Sequence, residues 1–514
     1  MSQQWEPVIG LEVHAELLTR SKMFCSCAVI DDYAAVGGYA AAQPNTHVCP
    51  VCMALPGSLP VINARAVEFA VKAGLALGCT IGEFSICARK NYFYPDLPKG
   101  YQISQYEYPL CRNGWLEVET GDARSATPAL SPVVTGARVG ITRVHLEEDT
   151  GKLTHVGDAS LVDLNRAGVP LMEIVSEPDL RSVDQVKAYA TKVRAILRYI
   201  GVNSGDMEKG ALRFEANISI RPAGSSVLNT RTEIKNLNSF RALARATEYE
   251  IARQIRWVES GGQVEQETLG WNEARGETYS QRSKEHAHDY RYFPEPDLLP
   301  LEISREQVER IRATLPELPD AKLERFMAQY GLSRYDASLL VAERAVADFF
   351  EACAARLSGA QPQAPGTYQG QASGFKAIAN WMTGELFRLM NQADLDILQV
   401  QVKPADLVAL VEMVNAGRVN QNTAKFVFEE MFATGEPPAI IVERKGWAQI
   451  SDAGELASIV ERVLDEHPKQ TSEYLGGKEQ IGKWLLGQVM RATRGQANPQ
   501  AAQDALRAAV DKRR

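Results

Sequence analysis

The N-terminal part of this chain interleaves two periodicities, and after Pro300 only one of them continues. From Val8 to Leu17, the residues Ile9, Leu11, Val13, Ala15 and Leu17 fall on one face and Glu12, His14 and Glu16 on the other, the period of two of a half-buried strand. The same alternation sets Leu212, Phe214, Ala216, Ile218 and Ile220 against Arg213, Glu215, Asn217, Ser219 and Arg221. Arg231, Glu233 and Lys235 repeat it with mixed charge, and Glu173 interrupts the apolar run Leu171, Met172, Ile174, Val175 in a further strand. Residues 112–137 read as a hairpin with a polar loop. Helical runs are predicted over 63–77, closed by Gly78, over 183–199, stopped by Gly201, and over 240–258, ended by Gly261 and Gly262.

Strands with one polar face, interleaved with helices, predict an α+β fold whose sheet is largely antiparallel and covered on one side. Segment 283–300, with two histidines, Arg291 and three prolines, reads as the exit from a first domain. Beyond it the pattern is helical, with proline breaks near 315–319, a Gly-, Pro-, Gln- and Ser-rich stretch at 358–374 and a turn at 435–438. At 514 residues, roughly two to four domains are expected.

Charge changes this picture at one end. The formal net charge of -8 excludes indiscriminate nucleic-acid binding, yet from Lys478 to Arg514 eight cations face three acids. There Ile481, Trp484, Leu485, Gln488 and Val489 mark a buried helical stripe, with Lys483, Arg491 and Arg494 off it. The N-terminus has no basic and apolar leader, and no apolar run reaches about 18 residues, so a cytoplasmic protein with no membrane partner is expected.

The candidate chemistry lies in carboxylates and thiols. Glu147, Glu148 and Asp149 stand in a row, and Glu173 sits in an apolar strand; a buried carboxylate must be paired, protonated or bound to a cation. If the polar strand faces are contiguous, acids there could hold Mg²⁺ while Arg213 and Lys235 meet phosphate; the other reading is the solvated side of a sheet. The loop from Lys90 to Gln105, with Tyr94 and Lys99, could stack on a flat ring and contact phosphate, or could simply pack. Cys25 and Cys27, then Cys49 and Cys52, have the spacing of a closed four-thiolate zinc site, a pair of disulfides being the rival reading. No nucleophile elbow, N-terminal cysteine nucleophile or Walker A motif is present, so any phosphate held here would be bound without a P-loop.

VIGLEVHAEL (8–17), RKNYFYPDLPKGYQISQ (89–105), HLEEDTGK (145–152), VDLNRAGVPLMEIVSEPD (162–179), TEIKNLNS (232–239) and DYRYFPEPDLLPL (289–301) closely resemble the B subunit of the tRNA-dependent amidotransferase GatCAB. The resemblance runs in order along essentially the whole chain and implies a cradle domain with kinase activity, a helical domain and a tRNA-contacting tail. We expect these at 1–295, 296–405 and 406–514. It implies ATP-dependent phosphorylation of the side-chain carboxylate of Glu-tRNA(Gln) and/or Asp-tRNA(Asn), then amidation with ammonia from a partner amidase that hydrolyses glutamine, with a small third chain completing a heterotrimer. By resemblance, His14, Glu148 and Glu173 match Mg²⁺ ligands with Glu12 nearby, Glu215 and Glu233 match further acidic positions, and Glu147 and Asp149 lie outside the ligand set. The cysteines match a structural zinc knuckle. The alternatives are a tRNA-binding scaffold without chemistry and a free-standing ATP-dependent ligase for a small acid.

Overall fold

A twelve-residue strand, β1 (Trp5–Glu16), lies near the middle of a nine-stranded sheet. The others are β2 (Thr80–Ile81), β3 (Cys111–Thr120), β4 (Thr135–Glu148), β5 (Pro170–Ser176), β6 (Leu212–Pro222), β7 (Thr232–Leu237), β8 (Glu267–Asn272) and β9 (Glu277–Ser283). Their order across the sheet is β9-β8-β7-β6-β1-β5-β4-β3-β2, and every pairing is antiparallel except β7 with β8. These strands belong to a computed structural model that describes residues 4–30, 43–120, 135–283, 290–357, 372–448, 453–493, 496–497 and 499–513. The polar loop expected before residue 137, the histidines at 286 and 288, most of the 358–374 stretch and the arginines at 494 and 514 fall outside the described residues.

One face of the sheet is apolar, as the alternation requires. Ile9, Leu11, Val13 and Ala15 of β1, Val144 and Leu146 of β4, and Phe214, Ala216 and Ile218 of β6 are buried in one core with α1 (Ala64–Ala76), α2 (Val183–Tyr199) and α3 (Phe240–Glu259). Each fully buried aliphatic side chain contributes about 1.5–3 kcal/mol to that packing. The helices start where short polar residues can satisfy orphan N–H groups. The Asn63 side chain accepts from Arg65 and Ala66, Ser182 from Gln185, and Ser239 from Ala242. The other face is polar and belongs to the site.

Two domain boundaries differ from expectation. The first compact unit runs to Pro319 rather than 295. Leu301–Glu302 pairs antiparallel with Phe84–Ser85, and Leu298, Leu301, Val308 and Ile311, the last two on α4 (Arg305–Arg312), pack against the sheet's core. The prolines made this stretch resemble a linker, whereas its apolar residues return to the first unit. In the second unit, Asp320–Arg514, the named elements are all helices. One apolar cluster extends from Phe326 to Val442 and a second from Leu456 to Val510. The expected cut at 405 therefore passes through a core, because Leu407, Leu410 and Val411 pack with Phe350 and Phe375. No helix among the described residues is long and apolar enough to cross a membrane.

Candidate active site

Strand register sets the site. Across four neighbouring strands, Arg213 of β6 stands opposite His14 of β1, His14 opposite Glu173 of β5, and Glu173 opposite His145 of β4. Two residues along β1, Glu12 stands opposite Glu215 of β6. Residues directly opposite in an antiparallel pair point to the same face, so one polar face collects side chains from distant parts of the chain. Above it opens a cavity of about 720 Å³.

Two groups of ligand-type atoms line this cavity. His14, Glu147 and Glu173 bring one donor each to within 4.8 Å of one another, as do Glu12, Glu215 and Glu233. Glu173 lies 3.6 Å from His14 and 3.4 Å from His145. Burial opposes its ionisation, but His145 and His14 hold it well below the usual carboxylate range. Burial likewise disfavours a charged His14, yet its bond to Glu173 raises it to about 9. Glu147 accepts from Gln102 at 2.9 Å and Ser104 at 2.6 Å and lies 3.6 Å from Lys90. Against the desolvation of burial, Lys90 is the largest influence bringing Glu147 down to about 2. Glu12 moves the other way: burial, then Glu173, Glu215 and Glu233, raise it.

Cations stand beside both groups. Lys235 lies 2.7 Å from Glu215 and 3.4 Å from Glu233. Arg213 lies 2.9 Å from Asp149 and 3.5 Å from Glu16, and Arg166 is 3.9 Å from Asp149. Burial, then the neighbouring Asp149, raise Glu16 to about 8.

Both donor sets suit a hard divalent cation: oxygen and imidazole donors converge, and the like charge around Glu12 is what such an ion would neutralise. Two buried polar atoms of the cavity lining, Arg143 Nε and His145 Nδ1, also have no hydrogen-bond partner among the described residues, as in a wall that receives a ligand.

Of the residues anticipated from sequence, Glu12, His14, Glu173, Glu215, Glu233, Lys90, Arg213 and Lys235 converge on the cavity. Glu148, Lys99 and Tyr94 do not line it. Adjacent strand residues face opposite sides, so Glu147 points to the cavity and Glu148 away from it. Glu148 accepts from Lys99 Nζ at 2.8 Å and from the Ile103 N–H at 3.0 Å, in a separate cavity of about 220 Å³ next to Cys25 and Cys52. Tyr94 is 51% exposed, and Tyr92 lines the main cavity instead. Sequence reasoning gave no role to His145 and Arg166 and placed Glu147 and Asp149 outside the ligand set, whereas all four line the cavity. The phase of Val144 and Leu146, apolar and buried, would have placed Arg143, His145 and Glu147 on the polar face.

The four cysteines do meet, with their sulfurs within 4.8 Å of one another. Cys49 and Cys52 sulfurs are 3.9 Å apart, close to the roughly 3.8 Å that a tetrahedron of Zn–S bonds of about 2.3 Å requires. The Cys49 N–H donates to Cys52 Sγ at 3.0 Å, and the bond from Cys25 is the largest influence drawing the Cys52 thiol down to about 4. Burial, then Cys49, raises Cys27 to about 11. Four sulfurs converging in this way fit a closed metal site.

A family profile described as the GatB/GatE catalytic domain matches residues 7–309, and a second, described as the GatB domain, matches 367–510. The chain belongs to the GatB family. It is 50% identical over 510 residues to the B subunit of an aspartyl/glutamyl-tRNA(Asn/Gln) amidotransferase of Thermoanaerobacter pseudethanolicus, covering 99% of this chain and 100% of the relative. Proteins of the same name from Carboxydothermus hydrogenoformans (49% over 511 residues, 98% of each chain) and Dehalococcoides mccartyi (50% over 516 residues, 99% of each chain) are similarly close. In this GatB chain, the catalytic-domain match covers every strand of the sheet apart from the first two residues of β1, and therefore the whole cavity.

Proposed function

We propose that this chain is the B subunit of a glutamine-dependent tRNA amidotransferase and carries its ATP-dependent step. The substrate is Glu-tRNA(Gln), Asp-tRNA(Asn) or both. A side-chain carboxylate oxygen of the misacylated residue attacks the γ-phosphorus of ATP, the bond to ADP breaks, and an acyl phosphate forms. Ammonia from a partner amidase then adds to the acyl carbon, loses a proton and expels phosphate, leaving the amide. A small third chain completes the assembly, which we place in the cytoplasm.

The observation that carries this reading is one cavity joining two carboxylate groups to Lys90, Arg213 and Lys235. Phosphoryl transfer needs positioning and charge neutralisation rather than a protein nucleophile, and the cavity's cations and carboxylates suit both. His14, Glu147 and Glu173, and Glu12, Glu215 and Glu233, are the residues that would hold Mg²⁺, with Glu147 in the place expected of Glu148. When bound, Mg²⁺ supplies neutralisation of phosphate charge. His14 must release its proton to become a ligand, so cation binding at that group is favoured by higher pH. Lys235 and Arg213 hold phosphate oxygens, and Asp149 aims Arg213 and Arg166. Cys25, Cys27, Cys49 and Cys52 hold a structural Zn²⁺ outside the reaction.

The test is a Glu173→Gln variant in the assembled enzyme. Acyl-phosphate formation should fall by about a hundredfold or more while tRNA still binds. Full activity in this variant would favour a scaffold without chemistry, and ATP consumption without misacylated tRNA would favour a small-acid ligase.

A further inference from the structure

Four tyrosines from three separate segments line one part of the cavity wall: Tyr92, Tyr106, Tyr290 and Tyr292. Tyr106 and Tyr292 stack face to face, with centroids 4.3 Å apart and planes at 10°. Tyr290 meets Tyr292 edge-on at 6.1 Å and Tyr92 at 6.1 Å. Although Tyr292 covers one face of Tyr106, that residue is still 41% exposed, so its remaining surface is open. An aromatic ring held this way in a polar, cation-lined cavity offers a flat surface and little else.

The wall is held at a conformational cost. Arg291, between Tyr290 and Tyr292, has φ 43°, a left-handed conformation that a non-glycine residue rarely adopts. Asn91 Nδ2 fixes this turn by donating to the carbonyls of Tyr290, at 3.2 Å, and Arg291, at 2.8 Å. The turn puts the two neighbouring tyrosines on the cavity together. The wall is also continuous with the charged part of the site. Lys90 Nζ lies 5.4 Å from the Tyr290 ring centre and 3.6 Å from Glu147. Ser104, two residues before Tyr106, donates to Glu147 at 2.6 Å. A ligand with a flat ring at one end and an anion at the other matches that layout.

We infer that the Tyr106–Tyr292 stack and Tyr290 form an adenine-stacking subsite that holds a nucleotide with its phosphate end towards Lys90. The inference rests on the phosphoryl-transfer reading above, which provides two sources of the same ring: ATP, and the 3′-terminal adenosine bearing the amino acid on tRNA. Base stacking on an aromatic ring is sequence-tolerant but favours large rings, so a purine is retained over a pyrimidine.

The test measures equilibrium binding of ATP, CTP, a tRNA ending in adenosine and the same tRNA trimmed of that adenosine to the full chain. Tyr106→Ala and Tyr292→Ala are each expected to weaken one adenine-bearing ligand by about tenfold or more, and its counterpart lacking adenine by less than about threefold. Tyr106→Phe, which keeps the ring, should bind as the parent does. Loss confined to ATP assigns the nucleotide, and loss confined to intact tRNA assigns the terminal adenosine. The inference is overturned if both adenine-bearing ligands stay within about twofold, or if each falls together with its counterpart lacking adenine. No turnover is involved, so an absence of acyl phosphate from the unaltered enzyme would sink the phosphoryl-transfer reading and leave this measurement intact.

Discussion

The carboxylate groups and the cysteine group are both clusters of metal-ligand type, yet they are assembled in opposite ways. The four cysteines lie between residues 25 and 52, in two close pairs. The ligands of the cavity are drawn from β1, β4, β5, β6 and β7, between Glu12 and Glu233. One cluster is a loop tied to itself, and the other exists only when strands remote in sequence have paired correctly. A metal lost from the first should therefore cost structure, whereas a ligand lost from the second should cost chemistry, because hydrogen bonds between strands hold the sheet without it.

The sharpest challenge to this comparison is the pair Glu147→Gln and Glu148→Gln. Glu147→Gln should lower acyl-phosphate formation by about a hundredfold or more. Glu148→Gln should cost less than about tenfold and act through Lys99 and the Ile103 N–H; equal losses would contradict the placement by strand phase. At the cysteines, Cys49→Ser with Cys52→Ser should remove about one zinc per chain. We expect lower thermal stability, measured by calorimetry, with kcat within about threefold. A variant as stable as the parent would erase the distinction between the two clusters. Asp149→Asn tests how finely the cavity is aimed. With Arg213 and Arg166 no longer held by a full charge, KM for ATP should rise by about tenfold and KM for tRNA should stay put.

The smallest expected effect is on pH dependence in chelator-treated protein. His14 is raised from 6.5 to about 9, so its contribution to stability is fully present below 6.5 and is lost as pH rises through 9. Denaturation titrations at several pH values should show this decline in the parent and a weaker one in His14→Asn.

These contrasts also explain what could be read from sequence. Helix 183–199 was legible to the residue, because its apolar period and the Ser182 cap agree with the packing that forms. The cysteines were legible because their geometry is local. On the β1 face, Glu12 and His14 were legible because Leu11, Val13, Ala15 and Leu17 alternate with Glu12, His14 and Glu16 without a break. Glu147 was not, since three consecutive acids hide the phase and only the buried Val144 and Leu146 restore it. Tyr94 was displaced by Tyr92 because aromatic composition does not tell which ring a loop turns inward. The linker-like prolines concealed that Leu301 and Ile311 pack on the first unit's core.

Arg213, His14, Glu173 and His145 face one another through the backbone ladder, strand by strand. A slip of one residue in any of these pairings would turn the slipped strand's members of the row towards the helices. Correct strand pairing thus decides whether the cavity forms: a misregistered strand takes its polar residues off the cavity face.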